Sequence, residues 1–346
     1  MQNVTDEGDA MKRIRWCIIG AGGIADRRAI PALLEDDQNE IAAVMDRVPE
    51  VAEEVAKKYG VARWFSDEEE MLRAVDCDAV YIATPVFCHK AQALLCLKYD
   101  RHVFIEKPLS MTEKEGIEIV DAFKKAGKKM MVGYMMRYHN LHRKAAEIIK
   151  DGGIGKINLV RMQFSCWYPE IEGAWRQNKA LSGGGCIMDL AVHCMDLFTC
   201  LTDDWIDQCH AFYGTKTFQY EVEDSAIISF VSKGGILGHI DVNFNVPDAA
   251  IASKVEILGT AGSLVAEGTL GQEERGMLKY IYAPQGDYEA QQSASVANAK
   301  EFTGEESNVY LKQFRAFNEM LLSEADYSNA ERALKIQALC DQIYQK

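Results

Sequence analysis

The stretch Arg15-Trp-Cys-Ile-Ile-Gly-Ala-Gly-Gly-Ile-Ala25 decides the fold of this chain. A short apolar run precedes the glycines, and the pattern G-x-G-x-x-A then opens a predicted helix. In this pattern the first glycine makes a tight turn and the second lets a pyrophosphate approach the backbone. The small last residue lets helix and strand pack closely, so that the helix amides face the phosphates. The residues expected to line this phosphate site are Gly20, Gly22, Gly23 and Ile24.

An acid at the end of the next apolar run supports the same interpretation. Asp46 directly follows residues 41–45 and occupies the position where a carboxylate binds the adenosine ribose of a dinucleotide. Because a carboxylate there repels a 2′-phosphate, we expect NAD, with NADP as the less favoured cofactor. Arg47 could stack on adenine, or pair with a 2′-phosphate if Asp46 turned away. The alternative is that the glycines form only a structural turn.

Strand-like and helix-like segments alternate up to about residue 134. Five apolar runs are typical of parallel strands buried on both faces, residues 15–19, 41–45, 79–83, 103–105 and 129–133. Between them, Pro49 suits a first helical turn and Gly60 suits a helix end. Capping-box spacing occurs at Ser66–Glu69 and Thr112–Glu115. These features predict an α/β domain with a doubly wound parallel sheet, a Rossmann domain, over residues 12–134.

After residue 134 strand follows strand, which predicts a second α/β domain, residues 135–346, with a mainly antiparallel sheet. The family resemblance described below implies that this sheet is large and open. The predicted strands are residues 156–166, 205–213, 222–231, 235–244, 252–259 and 277–283. The predicted helices are 138–151, 185–201, 306–323 and 329–345, the last opened by Ser328 and Glu331 at capping-box spacing. The two C-terminal helices could return to the first domain. Residues 268–276 and 284–304 are expected to be variable, exposed loops.

Polar residues follow the carboxyl ends of three predicted parallel strands, where ligands bind in open α/β sheets. They form the groups Thr84-Pro85 with His89, Glu106-Lys107-Pro108, and Tyr134 with Arg137. A proline after Thr84 and after Lys107 keeps those residues out of the helical conformation, so each strand ends there. A lysine that ends a buried strand is costly unless a polar or ionic group uses it. We therefore expect Lys107 to stabilise an ionised substrate hydroxyl. The alternative is a surface pair with Glu106.

The segment Ser182-Gly-Gly-Gly-Cys-Ile-Met-Asp-Leu-Ala-Val-His193 begins with glycines and continues as a predicted helix. Asp189 and His193 are four residues apart and therefore share one helical face. The ordinary histidine pKa of about 6.5 suits His193 to accept a proton from an alcohol as hydride leaves its carbon. Asp189 is expected to orient His193 or to bind a substrate hydroxyl. The alternative is a structural histidine, and Asp196 is expected to be a helix cap or a solvent-facing charge.

Composition and charge narrow the class of protein. The chain has 346 residues, of which 48% are hydrophobic and 26% charged, and its net charge is −14. Nucleic acids and anionic membranes repel such an acidic protein, so we expect neither as a partner. Its 10 cysteines are scattered without metal-ligand spacing, which favours reduced thiols in the cytoplasm and no bound metal. Residues 1–11 lack the apolar run of a signal peptide and are expected to form a disordered tail.

Taken together, these motifs resemble the glucose–fructose oxidoreductase, inositol dehydrogenase and rhizopine-catabolism (Gfo/Idh/MocA) family. The resemblance extends from Ile14 to about Ile343. Its most specific parts are Glu106-Lys107-Pro108, Trp175-Arg176, Gly183-Gly-Gly185 and Asp189-x-x-x-His193. It implies a Rossmann domain followed by a domain whose open sheet often forms an oligomer interface, so a homodimer or homotetramer is expected. It also implies that the catalytic residues are Lys107, Asp189 and His193.

The resemblance implies an oxidoreductase that transfers a hydride between NAD and a secondary hydroxyl of a sugar, inositol, sugar acid or glycoside. Besides the glycine-rich turn, the residues expected to bind the cofactor are Asp46, Arg47, Thr84, Pro85, His89, Glu106, Lys107, Trp175 and Arg176. The residues expected to bind the substrate are Lys107, Tyr134, Arg137, Asp189 and His193. One alternative is a glycosidase or sugar-modifying enzyme that retains NAD and oxidises a ring carbon transiently. Another is a cofactor-sensing regulator without chemistry.

Overall fold

The computed structural model describes residues 13–250, 253–283, 286, 290, 298–304, 307–323 and 329–345. The predictions for the tail at residues 1–11 and for Ser328 lie outside these residues. Within them, two sheets organise the chain, one of six strands and one of eight. The first sheet confirms the predicted Rossmann fold, and the second confirms the predicted large open sheet.

The first sheet is built from the N-terminal part of the chain. Its strands are β1 (Ile14–Ile19), β2 (Asn39–Met45), β3 (Trp64–Phe65), β4 (Ala79–Ile82), β5 (His102–Glu106) and β6 (Met130–Gly133). They are parallel and lie in the order β3-β2-β1-β4-β5-β6. The five predicted strands are confirmed because continuous apolar runs suit strands buried between layers of helices. The sequence does not predict β3, since two residues carry no periodicity.

Helices alternate with these strands. They are α1 (Ile30–Leu34), α2 (Pro49–Tyr59), α3 (Glu68–Ala74), α4 (Val86–Lys98) and α5 (Glu113–Ala126), and a π-helical turn at Ala25–Ala29 leads into α1. The expected limits of α2 are confirmed, because Pro49 begins the helix and Gly60 ends it in the left-handed conformation.

One of the two predicted helix caps in this domain is confirmed and the other is wrong. Thr112 caps α5 by accepting a hydrogen bond from the Glu115 amide. The predicted pair Ser66–Glu69 does not cap α3. Asp67 caps it instead, because its carboxylate accepts a 2.7 Å hydrogen bond from the Glu70 amide.

The second sheet carries the rest of the strands. They are β7 (Ile157–Ser165), β8 (Ile206–Gly214), β9 (Ser225–Ser232), β10 (Leu237–Asn243), β11 (Lys254–Gly259), β12 (Gly262–Glu267), β13 (Met277–Tyr282) and β14 (Ala299–Thr303). Their order is β14-β13-β12-β11-β7-β10-β9-β8, with β7 and β10 parallel and the other pairs antiparallel. The sequence does not predict β12 or β14, and the expected loop at 284–304 is wrong where β14 lies.

The helices of the second part of the chain cover one face of this sheet, and the last two also pack against the first sheet. They are α6 (Asn140–Lys150), α7 (Lys179–Ser182), α8 (Val192–Thr202), α9 (Val309–Leu322) and α10 (Ala330–Tyr344). Shorter turns are 3-10 at Met135–Tyr138, Trp175–Gln177 and Asp248–Ala250, and π-helical at Ile187–Ala191. The segment Lys179–Thr202 is long and apolar enough to cross a membrane, but 89% of its most apolar window is buried inside the protein, as in a core helix.

The last two helices lie against the Rossmann domain. The Trp16 ring packs against Phe314 and Phe317 of α9, with ring centroids 5.5 and 5.3 Å away. The Asn329 side chain donates a 2.8 Å hydrogen bond to the Val132 carbonyl and accepts one of 2.7 Å from the Val132 amide. The C-terminal helices therefore complete the core around the first sheet.

The loop at residues 268–276 is anchored more firmly than the sequence predicts. Glu274 is buried, and its carboxylate lies 2.6 Å from the Lys312 ammonium and accepts a 2.6 Å hydrogen bond from the Asn140 amide. Thr269 is also buried and contacts His142 at 2.9 Å. The expectation of an exposed loop is therefore wrong for this part of it, because these contacts tie it to α6 and α9.

Candidate active site

An ion pair joins the two domains at the carboxyl end of β5. The Lys107 ammonium lies 2.5 Å from Asp189 Oδ1 and donates a second hydrogen bond, of 2.9 Å, to the Asp189 carbonyl. Lys107 directly follows β5, whereas Asp189 lies in the π-helical turn Ile187–Ala191 that precedes α8. The Lys107 side chain is only 13% exposed. The alternative of a surface pair with Glu106 is therefore wrong.

The His193 imidazole lies buried on α8, one helical turn beyond Asp189. Its ring contacts two aromatic rings, with centroid distances of 6.0 Å to Tyr134 and 6.4 Å to Phe164. Nδ1 is buried and has no hydrogen-bond partner among the described residues. Burial and the Lys107 ammonium lower the pKa of His193 well below its ordinary value, although Asp189 opposes the shift. The imidazole is therefore neutral near pH 7 and able to accept a proton.

The Asp189 carboxylate lies between two cations. Burial raises the pKa of Asp189, but Lys107 and Arg176 lower it by more, so the net pKa is well below that of an ordinary aspartate. Arg176 Nε lies 3.8 Å from Asp189 Oδ1, and the guanidinium stacks over the Trp175 ring at 4.4 Å. The structure thus brings Trp175 and Arg176 to the same place as the three catalytic candidates.

The glycine-rich turn has the shape that a dinucleotide needs. Gly20 and Gly23 have φ angles of +85° and +58°, in the left-handed region that favours glycine. A Cβ atom at Gly20 would lie 2.9 Å from Thr84 Cγ2, so the turn packs tightly against the end of β4. Asp46 Oδ2 accepts a 3.2 Å hydrogen bond from the Gly22 amide, which holds the carboxylate beside the turn. The residues present therefore fit a nicotinamide dinucleotide.

Glu106 is the last residue of β5, and its side chain lies between the neighbouring strands β4 and β6. Tyr81 donates a 2.7 Å hydrogen bond to Glu106 Oε1, and burial raises the pKa of Glu106 although Tyr81 and Lys107 oppose the shift. A Cβ atom at Gly133 would lie 3.0 Å from Glu106 Oε1, so the missing side chain leaves room for the carboxylate. Among the other expected cofactor residues, Ile24, Thr84 and Pro85 are partly buried and Arg47 is exposed.

The buried His89 ring supports the cleft and offers no free nitrogen to a cofactor. Nδ1 lies 2.9 Å from the Pro108 carbonyl oxygen, and Nε2 lies 3.0 Å from the Thr84 carbonyl oxygen. Burial lowers the pKa of His89 to about 4, although both carbonyls favour the charged form. The prediction that this side chain binds the cofactor is therefore wrong, because its ring holds together the chain segments that follow β4 and β5.

Two residues expected to bind the substrate, Arg137 and Tyr134, instead contact side chains of α8. Arg137 makes hydrogen bonds of 3.1 and 2.9 Å to the two carboxylate oxygens of Asp196, which is 1% exposed. The predictions that Arg137 binds the substrate and that Asp196 is a cap or a solvent-facing charge are wrong. The two side chains form an ion pair with each other away from solvent, and each neutralises the charge of the other. Tyr134 is also buried and contacts the His193 ring. It forms the wall behind the imidazole.

Two further contacts cannot be predicted from the sequence because they join residues that are far apart in the chain. Glu223 Oε1 accepts a 2.9 Å hydrogen bond from the Gly185 amide, 38 residues away. Arg28, in the π-helical turn after the glycines, lies 3.2 Å from Glu273, 245 residues away. This second contact borders a cleft of about 460 Å³ that Asp248 also lines. No local pattern of residues signals either contact.

Metal-binding side chains are not clustered in the part of the chain that the structure describes. There, no group of three or more His, Cys, Asp or Glu residues is placed to hold a metal ion. The ten cysteines are all free thiols.

The fold and the family models that the chain matches define an oxidoreductase with an NAD-binding Rossmann domain. Residues 14–134 match the family model of an oxidoreductase family with an NAD-binding Rossmann fold, and residues 142–265 match the GFO/IDH/MocA C-terminal domain. The chain belongs to the Gfo/Idh/MocA family, and the resemblance seen in its sequence is confirmed.

Named relatives agree with this assignment. The chain is 31% identical to scyllo-inositol 2-dehydrogenase (NADP(+)) of Bacillus subtilis over 276 residues, which cover 77% of this chain and 80% of the relative. It is 28% identical to 1,5-anhydro-D-fructose reductase of Ensifer adhaerens over 263 residues, covering 76% and 78%. The crystal structure of aldose-aldose oxidoreductase from Caulobacter crescentus, complexed with glycerol, has the same fold. Its TM-score is 0.84 at 21% identity, over 96% of this chain and 97% of that one.

Proposed function

We propose that this protein transfers a hydride between NAD and a secondary hydroxyl of a sugar, inositol, sugar acid or glycoside. The observation that carries the proposal is the 2.5 Å contact between Lys107 and Asp189 beside the buried imidazole of His193. It brings an ammonium from the first domain and a neutral base from the second to one place. The names of two relatives support this substrate class, since anhydrofructose and scyllo-inositol are both polyhydroxylated rings.

Each of the three side chains has a separate task in this reaction. His193 accepts the hydroxyl proton, because burial keeps its imidazole neutral. Lys107 donates a hydrogen bond to the same oxygen as it becomes negative. Asp189 holds the Lys107 ammonium in position and accepts a hydrogen bond from a neighbouring hydroxyl. A bound nicotinamide dinucleotide supplies the hydride acceptor or donor.

The preference for NAD over NADP is part of the proposal and rests on Asp46. Its carboxylate accepts hydrogen bonds from the Gly22 amide, at 3.2 Å, and from the Val48 amide, at 3.0 Å. These two bonds keep the negative charge beside the glycine-rich turn. A 2′-phosphate on the adenosine ribose would meet that charge, so binding of NADP is weaker.

Cofactor reduction with a panel of substrates tests the proposal. The purified protein is mixed with NAD or NADP and with sugars, inositols, sugar acids and glycosides, and absorbance at 340 nm is followed. We expect NADH to accumulate with at least one of them, and kcat to fall about 10²–10⁴-fold in a His193→Ala variant. His210→Ala is the matched control for kcat, since His210 is exposed on β8 in the second domain. Its oligomeric state is compared with that of the wild type, because the His210 ring lies 5.4 Å from Phe212.

Two other outcomes of this experiment contradict the proposal. Consumption of a glycoside without a net change at 340 nm indicates transient oxidation of a ring carbon by a retained cofactor. Binding of NADH, measured by fluorescence, without turnover of any compound indicates a cofactor sensor. The His193→Ala variant is expected to bind NADH as tightly as the wild type, so a loss of binding assigns this residue to the cofactor site.

We also propose that the protein acts in the cytoplasm as a homodimer or homotetramer joined through the second sheet. Its open face exposes 76% of Phe212, 48% of Ile227 and 55% of Leu237, and Phe212 and Ile227 are directly paired across β8 and β9. Exposed apolar side chains grouped in this way are typical of subunit interfaces. Light scattering after gel filtration tests the assembly. A monomer at all concentrations, or an Ile227→Lys variant as large as the wild type, contradicts it.

A further inference from the structure

The Glu223 residue binds the start of the helical segment that carries Asp189 and His193. Its Oε1 atom accepts hydrogen bonds from the Gly185 amide, at 2.9 Å, and the Ile187 amide, at 3.0 Å. The Glu223 carbonyl oxygen accepts a third, also of 3.0 Å, from the Cys186 amide. The first amides of a helical segment have no hydrogen-bond partner within the helix. Here three successive ones donate their hydrogen bonds to a single residue, Glu223. The carboxylate is also favoured there by the positive end of the helix dipole.

A further donor to the same carboxylate comes from the last turn of α10. The Tyr344 hydroxyl donates a 2.6 Å hydrogen bond to Glu223 Oε1. The glycines before the helix make this approach possible. A Cβ atom at Gly184 would collide with the Tyr344 hydroxyl, and one at Gly185 would collide with the Glu223 carbonyl. Because Gly184 and Gly185 have no side chains, there is room for Tyr344 and Glu223 to approach the backbone.

We propose that Glu223, held by Tyr344, is a positioning residue that sets the place of Asp189 and His193. The inference rests on the proposed function. Glu223 reaches Asp189 through a short series of hydrogen bonds. Glu223 holds the Gly185 amide, and the Gly185 carbonyl accepts a 3.0 Å hydrogen bond from the Asp189 amide. Asp189 Oδ1 in turn accepts a 2.5 Å hydrogen bond from the Lys107 ammonium. A shift at Gly185 therefore moves the carboxylate that meets the first domain.

The neighbouring residue offers a matched control for this role. Asp224 is also a buried carboxylate that accepts hydrogen bonds from three backbone amides, those of Lys216, Thr217 and Phe218. These amides belong to the loop that follows β8, and none lies in the helical segment of the active site. Loss of the Asp224 charge therefore disturbs a buried carboxylate next to Glu223 without releasing the start of that segment.

Steady-state kinetics of four variants test the proposal. We expect Glu223→Ala to lower kcat about 10²-fold, the effect of a displacement of about 1 Å in a catalytic group. Glu223→Gln keeps the accepting oxygen and recovers most of this loss. Tyr344→Phe lowers kcat about tenfold, since one hydrogen bond to a charged group is lost. Asp224→Asn stays within about twofold of the wild type. The dissociation constant of NADH is expected to be unchanged in all four.

Rates are expressed per folded site, counted by bound NADH, so that a loss of folded protein does not imitate a loss of kcat. The proposal is overturned if Glu223→Ala keeps kcat within threefold of the wild type, or if Asp224→Asn loses as much activity. If the alanine variant does not fold, Tyr344→Phe and Glu223→Gln carry the test. A Tyr344→Phe variant with the wild-type kcat then overturns the proposal.

Amide hydrogen exchange separates this inference from the proposed reaction. Amides in the peptide 183–193 are expected to exchange faster in Glu223→Ala and at the wild-type rate in Asp224→Asn. This measurement needs no substrate, so it holds even if the wild type turns over none of the compounds tested. Equal exchange of this peptide in Glu223→Ala and the wild type shows that Glu223 does not hold the helical segment.

Discussion

Replacing Lys107 with methionine removes the ammonium that joins the two domains and keeps a side chain of similar length. In the structure this ammonium lies 2.5 Å from Asp189 Oδ1 and donates a hydrogen bond of 2.9 Å to the Asp189 carbonyl. The Arg176 Nε atom, at 3.8 Å from the same carboxylate oxygen, is too far away to replace these hydrogen bonds. The variant therefore lacks the donor that would meet the substrate oxygen and the cation that lies near His193.

Two measurable effects follow from this loss. A preorganised donor at a developing oxyanion contributes about 10²–10³-fold to the rate, so kcat is expected to fall by about this factor. The factor corresponds to a loss of about 2.7–4 kcal/mol of transition-state stabilisation. The second effect concerns pH. Burial and Lys107 lower the pKa of His193 whereas Asp189 raises it, so removal of the ammonium raises that pKa. Because the base acts in its neutral form, the acid limb of the kcat/KM profile moves to higher pH.

Initial rates at 340 nm across the pH range measure both effects, and NADH fluorescence checks that the cofactor still binds. Lys90→Met is the control, because Lys90 forms an ion pair with Glu118 of α5, at 2.5 Å, away from the catalytic cluster. It is expected to behave like the wild type. A loss of kcat smaller than about tenfold in Lys107→Met, or an acid limb that stays in place or moves to lower pH, refutes the assignment of Lys107.

Three further predictions concern cofactor choice and stability. Asp46→Ala is expected to raise the ratio of kcat/KM for NADP to that for NAD, measured in parallel assays, and an unchanged ratio contradicts the role given to this carboxylate. Arg137→Met leaves the buried Asp196 without its partner and lowers the free energy of unfolding in urea by about 3–5 kcal/mol. The double variant with Asp196→Leu regains most of it, and a double variant as unstable as the single one refutes the explanation. Burial lowers the pKa of His142 from 6.5 to about 3, so its contribution to stability is complete above pH 6.5 and decreases as the pH falls toward 3. Melting temperatures at pH 7 and pH 4 are expected to differ less in His142→Gln than in the wild type.

The first domain could be predicted from the sequence because its strands are continuous apolar runs separated by clear helix signals. The start of α3 shows that residue spacing alone cannot always identify the residue that caps a helix. Ser66 and Asp67 are adjacent, both can cap a helix, and each is followed three residues later by an acid, Glu69 or Glu70. Spacing alone does not choose between them. The structure selects Asp67, whose carboxylate reaches the helix amide.

The second domain was harder to predict because its strands depend on their neighbours. β14 has the sequence Ala-Lys-Glu-Phe-Thr and lies at the edge of the sheet, where polar residues are tolerated and the apolar alternation disappears. The active site shows the same limit. Motifs and a family resemblance identify Lys107, Asp189 and His193, but the contact between the first two spans 82 residues. Arg137 and His89 are buried in the folded protein and therefore need polar partners there. The residues that become these partners cannot be predicted from the local sequence.

The packing of α9 on the first sheet has a consequence for how the protein is made. Phe314 and Phe317 cover both Trp16 and Phe104, so strands of the first sheet are packed against a helix that is synthesised about 200 or more residues later. Until α9 has been synthesised, Trp16 and Phe104 lack these two partners, and exposed apolar surface of this kind favours aggregation. The polypeptide also crosses between the lobes twice, after β6 and before α9. The two domains are therefore joined by the backbone at two places, and α10 also packs against both of them.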